Sequence, residues 1–514
     1  MEMEKRLEED HLQDRIMMSL SAAVEAGDVE EVGNLLKEVD DVDKTDPADD
    51  KAITALMHAS KLGNVQICQM LLEHGAQVSR KSSFHYSPLM FAAQYGHVDV
   101  IEELVKHDAV VDDSDSHRRS ALYLASRAGH VHVVTCLVEN NANVESRGAV
   151  EMTPLIIAAQ KGHGQTVEAL LNRGARIKAT DRYGRSPLMW ACRRKHSNVV
   201  KALLRREDLD VNARNVNVFS SPGLTALMMA VSEGCVEIVE TLLRDSRTDV
   251  HTQCKDGSTA LMFVGKNGVS IAKMLLEKGS VLNHVNSLGQ SVLGYYFARA
   301  MASWRLDADE SIALVEYLLS AGAEINRKDQ KGRSPLLCVI KDKSVSRETT
   351  NRLCGLLLKF GAIVTDEIHG AIVEQKSDIV LKLIQNGGVP RLEALSTVVS
   401  KQFSEDDSLP RSPLVTAVLR GNVIILKMIL DHGFLHISDL SLPLSVYKCL
   451  DTMQDTVFNN YCKKTFLSLY DDPWPLKTLA LIHVSAHLGL QPGREQRLTQ
   501  TGLPGPLQKM LLYK

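Results

Sequence analysis

A six-residue theme returns at a fixed interval, and this constrains the fold more than any other feature of the chain. It reads Thr54-Ala-Leu-Met-His-Ala59, Ser87-Pro-Leu-Met-Phe-Ala92, Ser120-Ala-Leu-Tyr-Leu-Ala125, Thr153-Pro-Leu-Ile-Ile-Ala158 and Ser186-Pro-Leu-Met-Trp-Ala191, each copy beginning 33 residues after the last. Further copies begin at Thr225, Thr259, Ser291, Ser334 and Ser412, their spacing stretched by insertions such as the one ending at Gly223. A chain of 514 residues would ordinarily divide into a few compact domains. A short sustained period overrides that expectation. It marks supersecondary units that bury their apolar faces only on one another.

The residue types explain the unit. Ser or Thr at the start accepts from an unpaired helical N–H, and Pro at the next position loses nothing by lacking one. The small and aliphatic residues that follow allow close packing against a second helix, as in the stretches 98–109 and 164–175, whose apolar positions recur at helical spacing. Glycine after that helix, as at Gly75, Gly174, Gly279 and Gly322, suits a left-handed close. With its TPL-x-x-A theme and this period, the sequence resembles the ankyrin repeat. The resemblance implies an all-α solenoid of helix-turn-helix units with β-hairpin turns, about ten to twelve in number. It spans residues 20–440, is degenerate over 363–410, and follows a charged N-terminal tail at 1–19. The family's usual His after TPL is replaced by Met57, Met90, Tyr123, Ile156, Met189, Met228 and Met262. That substitution points to apolar packing between units, with the methionines as core filler.

Composition excludes several function classes. Net charge is −4 with 24% charged residues, so no overall charge excess favours nucleic acid or a membrane surface. The nine cysteines show no CxxC or zinc-ligand spacing and read as reduced, buried thiols. The N-terminus carries no signal-peptide pattern, and no apolar run is long enough to span a bilayer, so a cytoplasmic protein is expected, with nuclear presence possible. No P-loop, HExxH, GxSxG or kinase motif occurs. His97, His130 and His163 each follow a Gly and are read as caps of the helix–helix turn. A non-catalytic protein without metal or cofactor is the expectation.

Function in a repeat scaffold resides in its variable positions. Those preceding the TPL theme or ending the first helix are Phe84, Tyr86 and Tyr95, then Arg119 and Arg127, then Lys161, then Arg182, Tyr183, Arg185, Arg193 and Arg194. Stacked side by side, they would line one target-binding groove, aromatic at its N-terminal end and basic in the middle. Arginine forks suit carboxylate or phosphate, so the expected target is a protein presenting an acidic or phosphorylated segment.

The theme ends after Leu440. Residues 441–471 read as a helical linker or cap. The segment from Pro475 can form an amphipathic helix with Leu476, Leu479, Ala480, His483 and Val484 at helical spacing. Read from these residues alone, it is a helix capping the last repeat's apolar edge, as a non-ligase ankyrin scaffold or inhibitor would need. Together with Leu488-Gly489, Leu503-Pro504-Gly505-Pro506 and the terminal Leu511-Leu512-Tyr513, residues 472–514 resemble a SOCS box. An ankyrin array followed by that box is similar to the ankyrin-repeat and SOCS-box proteins. This resemblance implies a substrate adaptor of an elongin B/C–cullin-RING ubiquitin ligase. It carries elongin binding onto Pro475, Leu476, Leu479, Ala480 and Val484, and cullin binding onto Leu503, Pro504 and Pro506. Ala480 stands where the box usually has Cys, and Gly505 departs from its LPLP element. Neither nucleic acid nor membrane is expected as a partner.

Overall fold

The computed structural model describes residues 2–45, 51–215, 222–300, 308–343, 345–364, 367–374 and 376–386, with 424, 425 and 428. All regular elements among them are helical, and the turns approach strand geometry only as isolated bridges such as Ser114 with Ser120. The chain forms two bodies, residues 1–292 and 293–514.

In the first body, α1 (Glu2–Ala26) and α2 (Val29–Leu35) precede a run of paired helices. These are α3 (Ala55–Leu62) with α4 (Val65–Glu73), α5 (Pro88–Tyr95) with α6 (Val98–Lys106), and α7 (Ala121–Ala128) with α8 (Val131–Glu139). There follow α9 (Pro154–Lys161) with α10 (Gly164–Asn172), α11 (Pro187–Arg194) with α12 (Ser197–Leu204), and α13 (Ala226–Ser232) with α14 (Val236–Arg244). A short 3₁₀ turn, Ala260–Phe263, then pairs with α15 (Gly268–Glu277). First helices pack on first helices (α3, α5, α7, α9, α11, α13) and second on second (α4, α6, α8, α10, α12, α14), which is the solenoid.

Each pair begins as the sequence predicts. The hydroxyls of Thr54, Ser87, Ser120, Thr153, Ser186 and Thr225 accept from the N–H three residues on. The residues replacing the family's His, from Met57 to Met262, are all buried in the stack. So are the thiols of Cys68, Cys136, Cys192 and Cys254, each free of a disulfide.

Stitching between repeats falls to a different set of histidines, which corrects the expectation for them. His97, His130 and His163, joined by His196, sit at the N-cap of their second helices but make no side-chain cap bond. Each Nε2 instead bonds the carbonyl 36 residues earlier, on Lys61, Gln94, Arg127 and Gln160, at 2.9–3.0 Å. The ring can reach back because the preceding repeat ends its first helix in a left-handed glycine. A Cβ on Gly129 would lie 2.5 Å from His163 Nδ1, and one on Gly162 would lie 2.6 Å from His196 Nδ1. The series breaks at Lys195, which holds the left-handed conformation without being glycine (φ 63°). The next second helix has Cys235 at its N-cap, so no imidazole is available for that slot.

The second body contains α16 (Val292–Tyr295, its first residue in the first body), a π-turn at 296–300, α17 (Ala308–Ser320), α18 (Pro335–Lys341), α19 (Arg347–Lys359), α20 (Glu367–Val373) and α21 (Ser377–Gln385). Here α18 packs on α20 and α17 on α19, repeating the two-row pattern. The later part of the array (387–440, apart from residues 424, 425 and 428), the linker at 441–471 and the segment 472–514 lie outside the described residues, with every elongin- and cullin-binding position assigned there.

Candidate protein-binding face

In three of the repeats the opening turn is built by one aspartate side chain. Asp115 Oδ1 accepts the backbone N–H groups of His117 and Arg119 at 2.8 Å, and Asp181 Oδ1 does the same for Tyr183 and Arg185. Asp329 repeats the arrangement with Lys331 and Arg333. The pattern is Asp-x-x-x-Arg just before the helix-capping Ser. It places the arginine beside the first helix of its own repeat, and the residue between carries the turn outward.

On this frame the expected site residues fall into two groups. The first joins Tyr86, Tyr95, Arg119 and Arg127. Arg119 Nε meets Asp115 Oδ2 at 2.6 Å and its Nη2 donates to the Tyr86 hydroxyl at 3.0 Å. The Tyr86 ring lies 5.3 Å from Phe91, and Lys61 stands over Tyr95. Burial raises the Tyr86 phenol above its ordinary value, opposed by the nearby charges of Arg119 and Arg127. Arg119 is therefore committed to the aspartate of its own turn and to Tyr86 of the preceding repeat.

The second group is Tyr183, Arg185, Arg193 and Arg194, gathered on a residue the sequence reading passed over. Trp190, 6% exposed, has Arg185 4.8 Å from its ring centre, Arg193 at 5.7 Å and Arg194 at 5.8 Å. Arg185 also lies 4.7 Å from the Tyr183 ring, so its guanidinium contacts both aromatics. Burial first, and then the charge of Arg193, holds the Arg185 pKa below its ordinary value.

Phe84 is exposed at its turn tip, and Lys161 is exposed at the end of α9, on the repeat between the two groups. Arg182 is exposed as well, and its N–H donates to the Val150 carbonyl. The Phe84 carbonyl accepts from the Ser116 N–H at 3.4 Å, beside the turn that Asp115 builds. Trp190 occupies the variable place within the TPL-x-x-A theme, where Phe91, Leu124 and Ile157 stand in other repeats. An indole N–H at a column that holds Phe91, Leu124 and Ile157 in the three preceding repeats is the signal that would have exposed it.

Among the described residues no group of His, Cys, Asp and Glu could hold a metal ion, and no helix is long and apolar enough to cross a membrane.

A family model described as ankyrin repeats in three copies matches residues 20–115, 78–148, 122–215, 178–253 and 227–329. The chain belongs to the ankyrin-repeat family. Among solved structures, the ankyrin repeat domain of human ASB11 is similar at 23% identity and a TM-score of 0.40, over 45% of this chain and 99% of that one. No curated protein matched.

Proposed function

We propose that this chain is a non-catalytic adaptor of a ubiquitin ligase, holding a protein target on its ankyrin repeats and docking elongin C through its C-terminal segment. The observation that carries target capture is the Trp190 cluster. Three cations and two aromatic rings gathered on adjoining turn and helix ends make the kind of surface on which protein contacts concentrate. The ligase half rests on sequence. Pro475, Leu476, Leu479, Ala480 and Val484 form the elongin-facing pattern, and Leu503, Pro504 and Pro506 form the cullin-selecting one. The chain would work in the cytoplasm or nucleus by raising the effective concentration of target near a recruited E2. It would need no cofactor.

Photo-crosslinking from two positions of the full chain tests this. A photoreactive residue at position 476 is expected to capture elongin C in cells, and one at position 183 to capture a different protein. If position 476 crosslinks only to the chain's own repeats, the terminal helix is a cap, and the adaptor reading gives way to a plain ankyrin scaffold.

A further inference from the structure

Three turns of the chain share the Asp-x-x-x-Arg arrangement, and in two of them the arginine folds back onto its aspartate. Arg119 Nε reaches Asp115 Oδ2 at 2.6 Å, and Arg333 Nε reaches Asp329 Oδ2 at 2.8 Å. In the third, that oxygen is taken. Asp181 Oδ2 accepts from the Trp190 indole Nε1 at 3.0 Å, while Oδ1 is filled by two backbone N–H groups. The column position of Trp190 is Leu124 in the repeat of Arg119 and Cys338 in that of Arg333, neither of which offers a ring N–H. Tryptophan thus displaces the arginine from its internal partner. Arg185 is held by the faces of Tyr183 and Trp190 instead, which fix a guanidinium in place without neutralising it.

Arg193 and Arg194, exposed at the end of α11, converge on the same indole. Among the described residues no carboxylate lies within 4.0 Å of the guanidiniums of Arg185, Arg193 or Arg194. The local account is three positive charges against the single carboxylate of Asp181, whose oxygens are already engaged.

From this geometry we infer that the Tyr183–Arg185–Trp190–Arg193–Arg194 cluster is a seat for a phosphorylated side chain on the protein target. This rests on the target-capture half of the proposed function and names its chemistry. A phosphate monoester carries close to two negative charges near pH 7 and three acceptor oxygens, which suits several arginine forks converging on one point. A single carboxylate would neutralise only one of the two charges in excess. The aromatic walls hold Arg185 in position beforehand, so less conformational freedom is lost when the anion arrives.

The test uses the full chain and degenerate peptide libraries with a fixed central residue: phosphoserine, phosphothreonine or phosphotyrosine, with glutamate and serine as comparisons. Fluorescence polarisation is expected to show at least one phosphorylated library binding about tenfold or more tightly than the glutamate and serine libraries. Arg193→Gln with Arg194→Gln removes that preference. Trp190→Phe frees Asp181 Oδ2 to recapture Arg185, and it lowers phosphopeptide affinity about tenfold with an unchanged circular dichroism spectrum. A merely structural Trp190 would not produce that selective loss.

Equal binding of glutamate and phosphorylated libraries would overturn the inference in favour of a carboxylate seat. Tighter binding of a single-stranded RNA oligonucleotide than of any peptide would overturn it in favour of nucleic acid. The crosslink from position 183 separates this inference from the reading beneath it. Loss of the crosslink after phosphatase treatment supports the phosphate seat. A crosslink that survives phosphatase sinks the phosphate seat and leaves target capture standing.

Discussion

Replacing Gly129 by alanine perturbs one of the four histidine contacts that couple neighbouring repeats. Gly129 closes α7 at φ +86°, where an L-residue costs about 1–2 kcal/mol. The new Cβ would also sit 2.5 Å from His163 Nδ1 and 2.8 Å from Cγ and Cε1, so the ring must leave. Departure breaks the 3.0 Å bond to the Arg127 carbonyl, about 1 kcal/mol more. The expected loss is about 2–3 kcal/mol, centred on α7–α10. His163→Ala alone should cost about 1 kcal/mol, through the lost bond. The double variant has no ring left to displace, so it should cost no more than Gly129→Ala and fall short of the two singles added by about 1 kcal/mol, beyond the scatter of independent sites. Urea melts followed by circular dichroism, with amide exchange read at α7–α10, measure all three. Simple additivity, or a Gly129→Ala cost under about 1 kcal/mol, would refute the interlocking of glycine and imidazole.

The same reasoning runs in reverse at Lys195, left-handed at φ 63° with no imidazole behind it, where Lys195→Gly should stabilise by about 0.5–1 kcal/mol in the same melts. The Lys195–Glu233 pair it removes, 4.0 Å apart and largely solvated, offsets little of that. Stability should also decline in alkali. Burial pushes the Cys68 and Cys338 thiols from 9.0 to about 11 and Cys354 to about 12, so the native state keeps protons that the unfolded chain releases. Their contribution is full below pH 9 and is lost as pH rises toward 11, at about 1.4 kcal/mol per pH unit for each thiol. Lys376, held below its ordinary value by burial, acts in the opposite sense. Denaturant midpoints between pH 8 and 11 measure the balance, and a flat profile would contradict it.

What could be read from sequence was whatever a local rule governs. Ser and Thr caps and prolines at the first helical position depend on neighbours within one repeat, and the column from Met57 to Met262 recurs at a fixed place in the theme, so the theme alone announces them. The interlock escaped because it spans 36 residues and depends on a glycine and a histidine in different repeats. His163 looked like a cap because it occupies a cap position, yet its ring is drawn backward into space that only a missing Cβ leaves open. The arginines illustrate the same limit from another side. Arg119 and Arg185 occupy equivalent turns and read alike, but one is tied to its aspartate and the other is not. The difference is made by Leu124 or Trp190 five residues further on, inside a theme that reads as core. Only the distribution of Asp181's two oxygens separates a self-contained turn from one with charge to offer.

The adaptor account is tested most directly by co-expressing the full chain with elongin B and elongin C and measuring the mass of the purified species. The account predicts a stable complex with one copy of each. Leu476→Asp should dissolve that complex while the full chain keeps its helical circular dichroism. A chain that purifies alone, fully helical and of monomer mass, would contradict the account, as would a Leu476→Asp variant that loses the fold of its repeats.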